Sequence, residues 1–490
     1  VESLVASMLL LKCYGQRLHC PKRIPRFLSG VEARLNATNQ ALKPHTGGIL
    51  KSWSIPHEIE QRDDQGIGIS NPDTGVLQPY QLAGAYDSNV ALSITYGDSR
   101  KDSFEKLAEV LRCMEYRGLD LQLNVDFQYG LLNWMLSNDP MLKPNTSFVS
   151  SYLALAGKMK RLCAQINLDL AWNINREKIE SDFGPEGLLI YDQKFTLILR
   201  PLKILFERPH LLMGWLASLK SKYQRSIFLK KNNPIDLLID LYNFLHLEKY
   251  SNFLPSEQIW SNDQKLLNSA SSFYKDLETQ FNKRIKGWEN LTKLLREHSS
   301  SVPPNFMKDK KLWEGINCAH KGHQISLELL QIPMILGEEA GYYELKVNNS
   351  FEIEIPKELH EPGNIKELIA ELDPAPTARK NEILAWTGGT FYSRETPETE
   401  EYAVEGQHVE KGDVIGLLEV MKMFNQIRAE FSGTIRKICV SACSGIIVSR
   451  GQKLFEIDPD DPSGYENEED KLAMQKEYTT KIMKRIVSLN

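Results

Sequence analysis

Apolar positions along the chain follow several rhythms in turn. Residues 1–16 put Leu4, Val5, Met8, Leu9 and Cys13 at helical spacing. Val31 to Ala37 alternates, as a half-buried strand does. Pro44 to Gly48 is a turn cluster, Ser54 to Gln65 reads as a polar strand with an exposed connection, and Ala85 to Tyr96 alternates loosely. Gly97 to Arg100 turns into a predicted helix, Lys101 to Arg117, with Phe104, Leu107, Val110, Leu111 and Met114 on one face and Gly118 as its stop. A second helix is predicted from about Val125 to Leu136. From 156 to 345 helical spacing dominates, as in Leu211, Leu212, Trp215, Leu216 and Leu219, then Leu237, Leu238, Leu241, Phe244 and Leu245. Gln258 to Glu297 reads as a long amphipathic helix or helix pair. No nucleophile elbow, phosphate loop or metal pair accompanies these stripes, so the region reads as a helical scaffold and subunit-contact domain. Residues 342–356 alternate around a hairpin turn at Asn348-Asn349-Ser350. Glu358 to Lys380 is charged and contains Pro362, Pro374 and Pro376, the composition of a linker.

Residues 384–459 repeat themselves. Gly389-Thr390-Phe391 is echoed by Gly433-Thr434-Ile435, and Val409 to Ile415 by Val448 to Leu454. Two similar β-halves in so short a stretch predict a flattened sandwich with pseudo-twofold symmetry. Within it, Val414 to Leu418 and Phe424 to Ala429 predict a β-hairpin whose tip is Glu419-Val420-Met421-Lys422-Met423. A lysine at such a tip is open to a modifying enzyme. Met421 and Met423 can flank an attached group without a charge clash. Residues 460–490 begin acidic and become helical, either a docking tail or the lead-in to another domain.

The length of 490 residues points to two to four domains. A net charge of −5 gives no support for nucleic-acid binding, and no apolar run reaches the length of a membrane span. The 7 cysteines show no metal-ligand spacing and read as reduced thiols of a cytoplasmic compartment, with an organelle matrix or plastid as the alternative. Cys318, His320 and His323 could begin a zinc site, but no further ligands stand nearby, so no metal site is expected. The chain starts at Val1 without a leader and reads as a processed chain or part of a longer polypeptide.

Two stretches carry a family resemblance. Gly30 to Ala37, Pro44 to Ile49, Tyr86-Asp87-Ser88, Tyr96 to Arg100 and Asn124-Val125-Asp126 resemble, in order and spacing, the C-terminal part of a biotin carboxylase domain. Leu92 departs from that family, which usually has lysine there. The family's ATP-grasp elements lie upstream of the matched region, so ATP, Mg and bicarbonate are expected at a carboxylase site not contained in this chain. Arg62 resembles the arginine that stabilises the biotin enolate; a guanidinium suits that task because it stays charged. Residues 384–459 resemble a biotin carboxyl carrier domain, whose usual tip is Glu-Ala-Met-Lys-Met, against Glu419 to Met423 here. Thr396 to Tyr402 resembles the protruding thumb of acetyl-CoA carboxylase carriers.

The resemblance implies a multidomain α+β fold. It comprises a carboxylase C-terminal region (1–155), a mostly α-helical connecting domain (156–345), a strand pair and linker (346–383), an all-β biotinyl/lipoyl-like flattened barrel-sandwich (384–459) and a tail (460–490). It also implies covalent biotin on Lys422, attached by a biotin ligase, with Met421, Met423 and Glu419 around it. The biotin would take up a carboxyl group at the carboxylase site and pass it to an acyl-CoA, acetyl-CoA being favoured, at a carboxyltransferase domain or subunit of an oligomer serving fatty acid biosynthesis. The alternatives are a pyruvate carboxylase-like or decarboxylase biotin subunit, or a non-catalytic carrier or assembly subunit.

Overall fold

The computed structural model describes residues 3–489 apart from 18–27, 46–47, 55, 62–78, 83–87, 145, 223–233, 248–262, 270, 273–286, 299–300, 305–309, 374–380, 397, 421–422, 441–444 and 461–467. The first part contains α1 (Leu4–Tyr14), β1 (Ser29–Asn36), β2 (Ile49–Trp53), β3 (Tyr80–Gln81), β4 (Asn89–Gly97), α2 (Arg100–Cys113), β5 (Tyr116–Leu119) and α3 (Val125–Asn138). β1 pairs antiparallel with β4 from Ser29↔Gly97 to Asn36↔Asn89, burying Ala33 and Leu35 while Glu32 and Arg34 face out. β2 lies between β3 and β5 in a second small sheet. The polar strand expected over Ser54 to Gln65 is β2 instead, which ends at Trp53; beyond it Gln61 makes only an isolated bridge to Ile94. Ser99 caps α2 by accepting the Asp102 amide at 3.1 Å. The helix ends at Cys113, earlier than expected, because Met114 is extended and leads into β5. Gly118 is no helix stop: it lies in β5, where a Cβ would stand 1.9 Å from the Ile49 carbonyl oxygen.

The helical part runs through α4 (Thr146–Ala164), α5 (Leu168–Asp192, kinked at Gly184), α6 (Phe195–Glu207), α7 (Pro209–Lys222), α8 (Pro234–Phe244), α9 (Gly287–Glu297), α10 (Lys310–Glu328) and α11 (Ile332–Glu339). The apolar stripe of α7 is buried throughout. α7 crosses α3 closely, and a Cβ on Gly130 would lie 2.1 Å from the His210 carbonyl oxygen. Of the long helix expected over 258–297, residues 263–269 and α9 are helical, and much of the remainder lies outside the described residues. The expected division at 155/156 falls inside α4. One buried cluster, from Ala33 to Ile486, joins the first part, the helices and the tail.

β6 (Lys346–Val347) and β7 (Ile353–Glu354) form the expected short hairpin. The linker expected over 358–380 is in part a helix, α12 (Pro362–Ala370). Pro362 suits the first helical position, where no amide partner is needed. Ile365, Leu368 and Ile369 form its apolar stripe against the larger core, and Leu372, just past its end, joins the same core. On α4, Gly157 leaves room for the Leu368 carbonyl oxygen, 1.8 Å from where a Cβ would stand. Arg161 of α4 pairs with Glu367 at 2.7 Å and Glu371 at 2.9 Å, so the charges that suggested a linker fasten the helix instead.

The strand domain holds β8 (Glu382–Leu384), β9 (Gly389–Tyr392), β10 (His408–Val409), β11 (Val414–Val420), β12 (Met423–Arg428), β13 (Gly433–Ile438), β14 (Ile446–Val448) and β15 (Lys453–Pro459). One sheet has the order β10-β13-β15-β8 and the other β14-β9-β11-β12. Exchanging the two sequence halves turns one order into the other, which is the symmetry the repeat predicted. The echoed glycines do the same job in each half: a Cβ on Gly389 would stand 2.6 Å from the Glu419 carbonyl oxygen, and one on Gly433 would stand 2.4 Å from that of Asp458. The domain has its own core, including Phe391, Leu418, Ile435 and Phe455. The chain ends in α13 (Glu468–Leu489), which docks: Ile482 and Ile486 are fully buried, Tyr478 donates to Glu339 at 2.5 Å, and Arg485 pairs with Glu338 and Glu339. Among the described residues no helix is long and apolar enough to cross a membrane.

Candidate functional site

β11 and β12 run antiparallel with Leu418 opposite Asn425, Glu419 opposite Phe424 and Val420 opposite Met423. The two residues between the paired ends are Met421 and Lys422, and both lie outside the described residues. Ile415, Leu418, Val420 and Ile427 point into the sandwich core and anchor the hairpin. The opposite face carries a row across four strands: Ile447, Thr390, Glu419 and Phe424. Ile447 is 81% exposed and Phe424 60%. In the next rank, the Tyr392 hydroxyl donates to Glu419 Oε2 at 2.6 Å, and its ring lies 5.6 Å from that of Phe424. The carboxylate that accepts this hydrogen bond, helped by partial burial, holds the Tyr392 phenol above its usual pKa. Glu419 is thus fixed on the outer face, three residues before Lys422. Sequence reasoning missed Tyr392. Its only signal was alternation: Phe391 faces the core, so its neighbour faces out.

Of the other expected site residues, Met423 opens β12, with its side chain outside the described set. Arg62 also lies outside it. The chain reaches that point from Gln61, whose backbone exchanges hydrogen bonds of 2.7 and 2.8 Å with Ile94 of β4. The described residues of the thumb-like stretch form an irregular loop between β9 and β10. Its neck is closed by the Tyr402 amide donating to Ser393 at 2.8 Å and by the Arg394–Glu401 ion pair at 2.5 Å. On α10, His320 is buried, and burial pushes its pKa down to about 4. Among the described residues no group of three His, Cys, Asp or Glu side chains could hold a metal ion.

Residues 387–457 match the family model described as "Biotin-requiring enzyme". The biotin carboxyl carrier protein of acetyl-CoA carboxylase from Pseudomonas aeruginosa is 41% identical over 83 residues, 17% of this chain and 52% of that protein. The chain therefore spans about half the length of this relative. The protein of the same description from Chlamydia trachomatis is 29% identical over 140 residues, 28% of this chain and 83% of that one. A solved single-chain, multi-domain long-chain acyl-CoA carboxylase is 12% identical, with a TM-score of 0.17, over 91% of this chain and 21% of that chain; this likeness carries no argument. Residues 387–457 form a biotinyl/lipoyl-type domain of strands within a larger chain of mixed helix and strand.

Proposed function

We propose that this chain carries biotin as an amide on Lys422 Nζ and serves as the carrier part of a biotin-dependent carboxylase. The observation that carries this reading is the Val420↔Met423 pair, which leaves Met421 and Lys422 as the two-residue connection of a hairpin inside the stretch matched by the biotin-requiring family. The residues around that connection fit such a group. The inner face of the hairpin is fastened to a core, and the outer face offers a fixed carboxylate beside an exposed aromatic ring. When bound, biotin supplies a ureido nitrogen that takes up and gives up a carboxyl group. The chain's own part is to present it: Lys422 loses its charge on forming the amide, and the paired strands β11 and β12 that flank it are anchored in the sandwich core. Carriage on a tether replaces diffusion between sites with a high local concentration.

Attachment requires a biotin ligase, with Glu419 and the two methionines as the immediate surroundings of the lysine. The acetyl-CoA type is favoured by the relatives' descriptions and by the braced loop at 396–402. Its partners would be a carboxyltransferase domain or subunit and a carboxylase site using ATP, Mg and bicarbonate. Arg62 is proposed as the cation that faces biotin at the latter. A cytoplasmic or organelle-matrix location is part of the same proposal. The test is transfer of label. The biotinylated chain is given ATP, radiolabelled bicarbonate and a separate biotin carboxylase, beside the Lys422→Arg variant. Acid-labile label on the wild type alone is expected. Equal label on both, or none on a wild type shown to hold biotin, would sink the carrier role.

A further inference from the structure

A cavity of about 460 Å³ lies where the first part, the helices and the strand domain meet, and the carrier role does not use it. Thr38, Asp126, Lys160, Arg208 and, from the strand domain, Arg450 line it. Three of these side chains are cationic and one is anionic. Asp126 is engaged by Arg208 through Nε at 2.6 Å and a second contact from Nη2. Arg450, in the turn between β14 and β15, faces Asp373 at 3.5 Å; that carboxylate also holds Lys43 at 3.1 Å. Lys160 Nζ donates to a neutral acceptor, Gln40 Oε1, at 2.8 Å. Burial, and next the nearby Arg450, lower the Lys160 pKa against the opposing pull of Asp373 and Glu371. Thr38 is 6% exposed, and its Oγ1 has no hydrogen-bond partner. A buried hydroxyl of this kind calls for an explanation such as a ligand.

We propose that this cavity binds a small dianion of phosphate or dicarboxylate type, held between the helical body and the strand domain. Such a ligand offers several acceptor oxygens and two negative charges. It would take hydrogen bonds from the Lys160 ammonium and the Thr38 hydroxyl, and it would offset the excess of positive charge in the lining. Arg450 is the strand domain's contribution, and Lys160 and Arg208 belong to the body. Occupancy therefore fastens one to the other, and the ligand would act on how readily the strand domain leaves. This inference stands on the cavity alone and does not depend on biotin at Lys422.

The test is calorimetric titration of the full chain with inorganic phosphate and, separately, with succinate at constant ionic strength. Wild type, Lys160→Gln and Arg450→Gln are compared, with Lys101→Gln on the exposed face of α2 as a control. Saturable binding of one equivalent of either anion is expected. Loss of one charge-assisted hydrogen bond should weaken it about tenfold in Lys160→Gln and in Arg450→Gln, and not in the control. A preference for phosphate over succinate, or the reverse, identifies the ligand class. Arg450 sits in a turn of the separate strand domain, so its variant remains informative if Lys160→Gln misfolds. No binding of either anion, or equal binding by wild type and both variants (an adventitious ion only), overturns the proposal. Binding that needs Lys160 but not Arg450 overturns the link to the strand domain.

Discussion

Tyr392 and Glu419 come from strands 27 positions apart in sequence and meet at 2.6 Å. Ionising the phenol would remove the donor and set two negative charges side by side, so the tyrosine resists it. Spectrophotometric titration of wild type against Tyr392→Phe should show this phenol ionising above the ordinary tyrosine range. Adding Glu419→Gln should bring it back down; an unchanged midpoint would contradict the contact. His320 gives a second expectation. Its folded pKa of about 4 lies below the ordinary 6.5, so between these values the unfolded chain binds more protons and stability falls as pH falls. The full shift corresponds to a loss on the order of 3 kcal/mol. Urea unfolding of wild type and His320→Leu across that window should show the smaller slope in the variant; parallel curves would refute the assignment. Neither pair of facts was legible beforehand. Alternation says which residues face out of a strand, but Tyr392 meets Glu419 only through the β9–β11 register, and the burial of His320 depends on how α10 packs.

Among the elements, α12 was concealed by its composition. Pro362 and the acidic residues read as a linker because proline and charge are common in linkers; here the proline begins the helix and the acids pair with Arg161. The stripe Ile365, Leu368, Ile369 and Leu372 was present in the sequence, but it is too short to decide the matter without the groove on α4. Gly157 makes that groove. Replacing it with alanine puts a Cβ against the Leu368 carbonyl oxygen, and neither backbone can give way locally. Gly157→Ala should cost about 1–3 kcal/mol in denaturant unfolding and raise hydrogen exchange across residues 362–372. Unchanged protection there would show that α12 does not need the close approach. Gly118 was misread for a related reason: a glycine after a helical pattern suggests a stop, whereas this one makes room in β5 for the neighbouring strand.

For the whole molecule, the repeat within residues 384–459 was legible as strands in two similar halves, because each half carries its own turns and close-approach glycines. The expected division at 155/156 was less legible. The apolar pattern changes there, but a change of pattern does not divide a core, and α4 contributes to both sides. The strand domain is attached at both ends to docked helices, α12 before it and α13 after it. Ile482→Asp puts a charge in a fully buried position of α13 and should release the tail, costing about 3–5 kcal/mol and opening 468–489 to protease. A protease-resistant tail in that variant would mean that α13 is held by other contacts.

The central claim concerns one amine. The most direct measurement is peptide mapping by mass spectrometry of the full chain after treatment with a biotin ligase, biotin and ATP, for wild type and Lys422→Arg. One biotinyl group on the peptide containing Lys422, and none on the variant, is the expected result. Biotin on another lysine, or equal modification of the variant, would contradict the account.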